Sequence, residues 1–252
     1  MTKIIKIIYL IIFGRKSRIM KMRRGLFKDI LLHIDPMLQL FLVFRNIEPN
    51  LQNIMKNYIK LNDIVFDIGA NIGYTSIAMS KIVGSQGKVY AFEPIPQTID
   101  QCYLNIKLNK CSNITLITKA LSDVEGLVDF RIPNLGDNLS MASMSWHKKK
   151  KNTLLLSLET IVLDNDKELS KLLPSFIKID VEGAEGKVVL GIQNLIKKSQ
   201  PVIFIECSKN GRKDVWNVLK GLNYHCFNSK NCYEEIIDFN CYRHDDFLWL
   251  PD

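Results

Sequence analysis

The sequence predicts an α/β fold with a doubly wound, mostly parallel sheet. Three observations carry this. Short apolar runs recur along the chain and alternate with helical stretches, the pattern of strands buried between helices. Two of those runs, Val65-Phe66 and Val89-Tyr90-Ala91-Phe92, are each followed at once by an acid, Asp67 and Glu93. Past the first acid, Gly69 and Gly73 are spaced to make a tight turn into a helix. With 252 residues and 47% apolar content, the chain can bury one sizeable core.

The elements follow in order. Residues 1–60 read as an amino-terminal helical extension and residues 61–252 as the main domain. Residues 1–28 hold nine Lys or Arg and no acid, which leaves 25 bases against 26 acids in the remainder. The net charge of +8 is therefore a property of the arm, and a near-neutral body argues against a nucleic-acid partner. The apolar run from Ile4 to Phe13 is about half of what spans a bilayer. It contains Lys6 and is followed by bases rather than a small-residue cleavage site, so no signal peptide is expected. Such a run lies on an anionic membrane surface or packs on the body or on a partner subunit, since each needs the same apolar stripe. The expected location is cytoplasmic, with peripheral contact at the inner face of a membrane through residues 1–28 as one of these alternatives. Helices are expected over 30–44 and 50–60, then strands at 63–68, 87–93 and 114–120. Residues 126–132 and 153–159 have strand character and flank a polar loop. Further strands fall at 175–180, 201–206, 223–228 and 246–250, with helices at 75–82, 96–109, 160–172, 184–198 and 211–221.

The turn after Asp67 narrows the ligand. A dinucleotide fold prefers G-x-G-x-x-G, whose backbone N–H groups cradle a pyrophosphate. Here Asn71 replaces the middle glycine and Asp67 stands before the turn, where it would repel a pyrophosphate. That combination suits a ligand with a cationic head and no phosphate, such as S-adenosylmethionine, and counts against a nicotinamide-dependent oxidoreductase. Glu93, at the end of the second strand, is where a ribose diol is held.

The segment VFDIGANIGY over residues 65–74, Phe92-Glu93-Pro94, and FIKIDVEGAE over residues 176–185 together resemble the FkbM-type methyltransferases. The likeness runs from about residue 48 to residue 252. It implies a class I, Rossmann-like methyltransferase with a seven-stranded sheet whose last strands form a hairpin with one antiparallel member. It implies S-adenosylmethionine as cofactor, held by Asp67, Gly69, Ala70, Asn71, Gly73 and Ser76 around the turn, by Glu93, and by Asp180. Leu121 and Ser122 would line the adenine site, and Glu48 would close the acceptor side. The reaction implied is O-methylation of a hydroxyl on a sugar, glycan or related metabolite. The alternative is a binding protein that kept the fold and lost catalysis.

Methyl transfer to a hydroxyl needs the acceptor oxygen positioned and its proton removed. Asp180 and Glu206 end neighbouring strands and converge on one crevice, with Glu182 and Glu185 close behind Asp180. Glu185, in a helix's first turn, also suits a capping role. Lys178 shares a strand face with Asp180 and needs a carboxylate partner. The loop over residues 134–151 carries hydroxyls, Trp146, His147 and four consecutive lysines, a composition suited to sugar recognition, with His147 a candidate base. No His joins the acids at ligand spacing, so no metal is expected. The six cysteines show no C-x-x-C pair and read as buried, reduced thiols.

Overall fold

The computed structural model describes residues 16–133, 153–181, 183–207, 211–238 and 245–252. Its strands are β1 (Arg18–Lys21), β2 (Leu31–Ile34), β3 (Ile64–Ile68), β4 (Lys88–Phe92), β5 (Ile114–Ile117), β6 (Ala120–Leu121), β7 (Gly126–Pro133), β8 (Thr153–Ile161), β9 (Phe176–Ile179), β10 (Val202–Glu206), β11 (Tyr224–Asn228), β12 (Asn231–Glu235) and β13 (Asp246–Pro251). Its helices are α1 (Pro36–Phe44), α2 (Pro49–Tyr58), α3 (Tyr74–Val83), α4 (Pro96–Leu108), α5 (Glu185–Gly191), α6 (Gln193–Ser199) and α7 (Arg212–Gly221).

One sheet runs in the order β12-β11-β13-β10-β9-β3-β4-β5. From β10 to β5 every neighbour is parallel, and β13 lies antiparallel between β10 and β11. This is the doubly wound sheet that the sequence predicts: among the seven strands from β11 to β5 the antiparallel member is β13, and β12, at the edge, also runs against the parallel set. A further strand, β12, extends the edge beyond the expected seven; its residues Asn231 to Glu235 form no apolar run and gave no signal.

Side chains of successive strand residues leave the sheet on opposite faces, so both faces carry a core. Val65, Phe176, Phe204 and Leu248 belong to one layer, and Phe66, Ile177, Ile203 and Trp249 to the other. The first layer is completed by Met22, Phe27, Ile30, Leu51 and Ile54 from the amino-terminal segment. Burying a side chain such as Phe27 contributes about 1.5–3 kcal/mol. The sequence-based boundary at residue 60 therefore separates elements that share one core, and residues 18–28 are part of the body. The membrane expectation for residues 1–15 lies outside the described residues. Among the described residues, no helix is long and apolar enough to cross a membrane.

Three expected elements differ. Residues 30–44 begin with β2, paired antiparallel with β1. The other edge of β2 is met by amides on α4 and just past its end: His33 N–H donates to Asn105 Oδ1 at 2.7 Å and Leu31 N–H to Asn109 Oδ1 at 3.0 Å. Asn109 Nδ2 returns a bond to Leu31 O at 2.7 Å. These side chains satisfy backbone groups that an edge strand leaves open. The helix expected over 160–172 is replaced by two short 3-10 turns, because Asp166 accepts the N–H groups of Glu168 and Leu169 at 2.9 and 2.8 Å and so stabilises a turn. The helix expected over 184–198 breaks at Ile192 into α5 and α6. Asp164 accepts the N–H groups of Asn194 and Leu195 at 2.8 and 2.9 Å, which starts α6 afresh.

Candidate functional site

The chain order reverses between β3 and β9, and the carboxyl ends of β3, β4, β9 and β10 meet there. A cavity of about 470 Å³ opens at that edge, which is where open α/β sheets bind ligands.

The turn after β3 forms its base. Gly69 has φ 83°, and a Cβ there would stand 1.8 Å from the Asp180 carbonyl oxygen, so no side chain fits. Asn71 has φ 51°, a left-handed conformation that Asn tolerates, and its Oδ1 accepts the Ile72 N–H at 2.8 Å. This is how the turn forms without the middle glycine of a dinucleotide motif. Gly73 precedes α3 with φ 87°, its position closed by the Cys102 thiol 2.8 Å from where a Cβ would lie.

Asp67 and Lys178 are register partners on β3 and β9. Lys178 Nζ lies 3.2 Å from Asp67 Oδ1 and 3.4 Å from Asp180 Oδ2, and donates to the Gly69 carbonyl at 3.0 Å. Burial opposes the Lys178 charge, but Asp67, Asp180 and Glu48 outweigh it and push its pKa up. Ser76 Oγ donates to Asp67 Oδ2 at 2.5 Å, and both residues are fully buried. Asp67 and Ser76 thus sit beneath the cavity rather than in its wall. Asp180, with a side chain 26% exposed, is the carboxylate of this group that reaches the cavity.

Glu93 links two turns. Its Oε2 accepts the Asn71 N–H at 3.0 Å and its Oε1 the Ile95 N–H at 2.9 Å. Burial raises its pKa to about 7 against the pull of those bonds. Each carboxylate oxygen has more than one acceptor site, so capacity for further donors remains on the cavity side.

The amino-terminal segment closes the cavity. Phe41 and Leu42 of α1 line it together with Glu48, which precedes α2. The Tyr74 hydroxyl donates to Glu48 Oε1. Burial raises the pKa of the Glu48 carboxyl, while Lys178 and the Tyr74 hydroxyl oppose that rise. On the far side Phe92, Ile95, Leu121 and Phe130 form an apolar wall, with Lys119 and Glu206 also on the lining.

Of the residues expected from the sequence, Gly69, Asn71, Glu93, Leu121, Asp180, Glu206 and Glu48 line the one cavity. Ala70, Gly73 and Ser122 support it from behind. The Ser122 N–H is taken by the Ile161 carbonyl at 3.0 Å, so it is not presented to an adenine ring. Glu185 is 1% exposed and accepts the Gly183 N–H, in the turn ahead of α5, at 2.5 Å. Glu182 and His147 lie outside the described residues. Tyr74, Lys119 and Phe130 were missed as site residues, although Tyr74 ends the first motif itself. Among the described residues, no group of three or more His, Cys, Asp or Glu is placed to hold a metal ion.

These features fit S-adenosylmethionine. A turn that only glycine can make admits close approach, Glu93 can receive a diol, an apolar slot matches a purine, and Asp180 offers negative charge to a cation.

Residues 67–226 match the model of the methyltransferase FkbM domain. The chain is 35% identical over 71 residues to a protein-L-isoaspartate O-methyltransferase of Fervidobacterium nodosum, covering 27% of this chain and 36% of that one. It therefore spans about a third of the length of that relative. It is 28% identical over 159 residues to the hexuronic acid methyltransferase AglP of Haloferax volcanii, covering 63% of this chain and 62% of that one. A solved SAM-dependent O-methyltransferase of Thermotoga maritima shares its fold, with a TM-score of 0.51 at 10% identity over 93% of this chain and 77% of the other.

Proposed function

The chain belongs to the methyltransferase FkbM domain family, whose methyl donor is S-adenosylmethionine, and on that premise we propose that it methylates a hydroxyl of a sugar or glycan. The observation that carries the proposal is one cavity lined by two kinds of group. Glu93, Leu121 and Phe130 suit a nucleoside, while Asp180, Glu206 and Glu48 offer carboxylates to a polyhydroxyl acceptor. The similarity to AglP supports a sugar as the acceptor class.

S-adenosylmethionine, when bound, supplies an electrophilic methyl carbon. Glu93 accepts the ribose hydroxyls while keeping its two backbone bonds. Lys178 fixes the Asp180 carboxylate at the end of β9. Asp180 and Glu206, on adjacent parallel strands, orient the acceptor hydroxyl by hydrogen bonds. Holding the acceptor oxygen in line removes much of the orientational barrier, a contribution on the order of 7–11 kcal/mol in well-aligned systems. Phe41, Leu42 and Phe92 exclude water from the reacting centre. Peripheral placement at the inner face of a membrane, near lipid-linked glycans, belongs to the same proposal and rests on the basic amino-terminal residues.

The test is transfer of a labelled methyl group from S-adenosylmethionine to a panel of sugars that includes uronic acids. A methyl ether product is expected. Asp180→Asn should lower turnover by about 100-fold or more, on the scale of losing an orienting contact. Cofactor binding without transfer to any sugar would remove the sugar assignment.

A further inference from the structure

We infer that Glu48, hydrogen-bonded by Tyr74, takes the proton from the acceptor hydroxyl; the inference rests on the methyl-transfer reading above. Glu48 stands on a loop before α2, far in sequence from the motifs that build the cofactor side.

The backbone singles this residue out first. Glu48 has φ 46° and ψ 54°, the left-handed region, and Pro49 follows it. A residue before proline is driven toward extended conformations, and a non-glycine residue held in the left-handed region costs on the order of 1–3 kcal/mol. The surroundings hold it there. The Glu48 carbonyl accepts the Gln52 N–H at 3.0 Å. Gln52 is itself fixed: its side chain donates to Asn46 Oδ1 at 2.9 Å and Ile47 O at 2.5 Å, and accepts the Leu26 N–H at 2.6 Å. The strained residue therefore has a set direction, and its carboxylate lies on the cavity wall.

The partner is the second observation. Tyr74 is the first residue of α3, directly after Gly73, so its position is tied to the cofactor turn. Its ring packs edge-on against the buried Phe27 at 5.2 Å. Its hydroxyl donates to Glu48 Oε1, which leaves Oε2 for an acceptor hydroxyl. Asp180 is engaged with the Lys178 cation, whereas Glu48 is bonded to a neutral hydroxyl. Burial raises the proton affinity of the Glu48 carboxylate, which suits it to accept a proton.

The step balances. The acceptor oxygen forms its bond to the methyl carbon as the carbon–sulfur bond breaks, with that electron pair remaining on sulfur. The hydroxyl proton passes to a Glu48 oxygen and is later released to solvent. The charged and titratable groups facing Glu48 are Tyr74 from α3, Lys178 from β9, Asp180 just beyond it and Asp67 from β3.

The experiment compares wild type, Glu48→Gln and Tyr74→Phe by cofactor calorimetry, thermal melting, and kcat against pH at saturating S-adenosylmethionine. Glu48→Gln should keep cofactor affinity within about twofold and lose roughly 100–10,000-fold in kcat, the range for a general base. Tyr74→Phe should lower kcat far less than Glu48→Gln does and move the acidic limb of the pH profile to higher pH, because the lost donor favoured the charged carboxylate. Wild-type transfer with Glu48→Gln equally active overturns the inference alone, as does an acidic limb unmoved in Tyr74→Phe. Cofactor binding abolished in Glu48→Gln also overturns it, because the residue would then serve the cofactor. Absence of any transfer by wild type overturns the methyl-transfer reading and this inference with it.

Discussion

Replacing Lys178 with Met tests the electrostatic core of the site. The ammonium lies between Asp67 and Asp180, with a side chain 4% exposed, and Asp67 is 0% exposed. Met matches the aliphatic stem, so the change removes charge with little loss of volume. Asp67 then keeps only the Ser76 hydroxyl as a side-chain donor. Breaking a buried pair on one side costs about 3–5 kcal/mol, a large share of an ordinary domain's stability. For a chain of this size that corresponds to a fall in Tm of about 10 °C. The assay is urea unfolding followed by circular dichroism, with the midpoint lowered and the slope m unchanged. The double variant Asp67→Asn with Lys178→Met should recover at least half of the loss, since the stranded charge is then gone. A loss below about 1 kcal/mol, or no recovery in the double variant, would refute the reasoning.

Further outcomes follow from the same geometry. Glu93 titrates near pH 7 when folded against 4.5 in its ordinary state, so between pH 4.5 and 7 the folded state binds more protons than the unfolded one. Stability of the cofactor-free protein should therefore fall as pH rises through that window, by up to about 3 kcal/mol, and Glu93→Gln should flatten the slope in a pH series of melts. Affinity for S-adenosylmethionine should instead rise across pH 6–8, because ribose hydroxyls favour the ionised carboxylate; calorimetry at each pH checks this. Gly69→Ala should abolish cofactor binding, since the added Cβ meets the Asp180 carbonyl at 1.8 Å and neither backbone can yield cheaply; retained nanomolar-to-micromolar binding would contradict the close-approach argument. Deleting residues 1–28 should destabilise the protein because Met22 and Phe27 leave the core, at about 2–5 kcal/mol for each large side chain lost, whereas a form starting at Lys16 keeps both side chains. Sedimentation of that shorter form with anionic vesicles, compared with the full chain, then reads membrane attachment without unfolding.

The parts of the site legible in the sequence are those written in local chemistry. Gly69, Asn71 and Gly73 encode a turn by their backbone conformations, and Glu93 announces itself as an acid at a strand end before a proline. The face that Asp67 presents was not legible. An acid before the turn suggests a contact with the cofactor, but its true neighbour, Lys178, is set by parallel register between strands about 110 residues apart. Likewise β2 resembles the start of a helix until β1 and the α4 amides supply its two edges. The amides at 101, 105 and 109 do recur every fourth residue, a stripe that in retrospect marks a polar seam on α4. Tyr74 lay in plain view, but its partner Glu48 comes from the other end of the site, and no local pattern connects them.

The most direct test of the central claim is calorimetric titration of the full chain with S-adenosylmethionine, S-adenosylhomocysteine and NAD. The account predicts one site for S-adenosylmethionine and its demethylated product, no measurable heat with NAD, and affinity for both sulfur nucleosides weakened by about 1.5–3 kcal/mol in Glu93→Ala. Binding of NAD in preference to S-adenosylmethionine, or an unchanged affinity in Glu93→Ala, would contradict it.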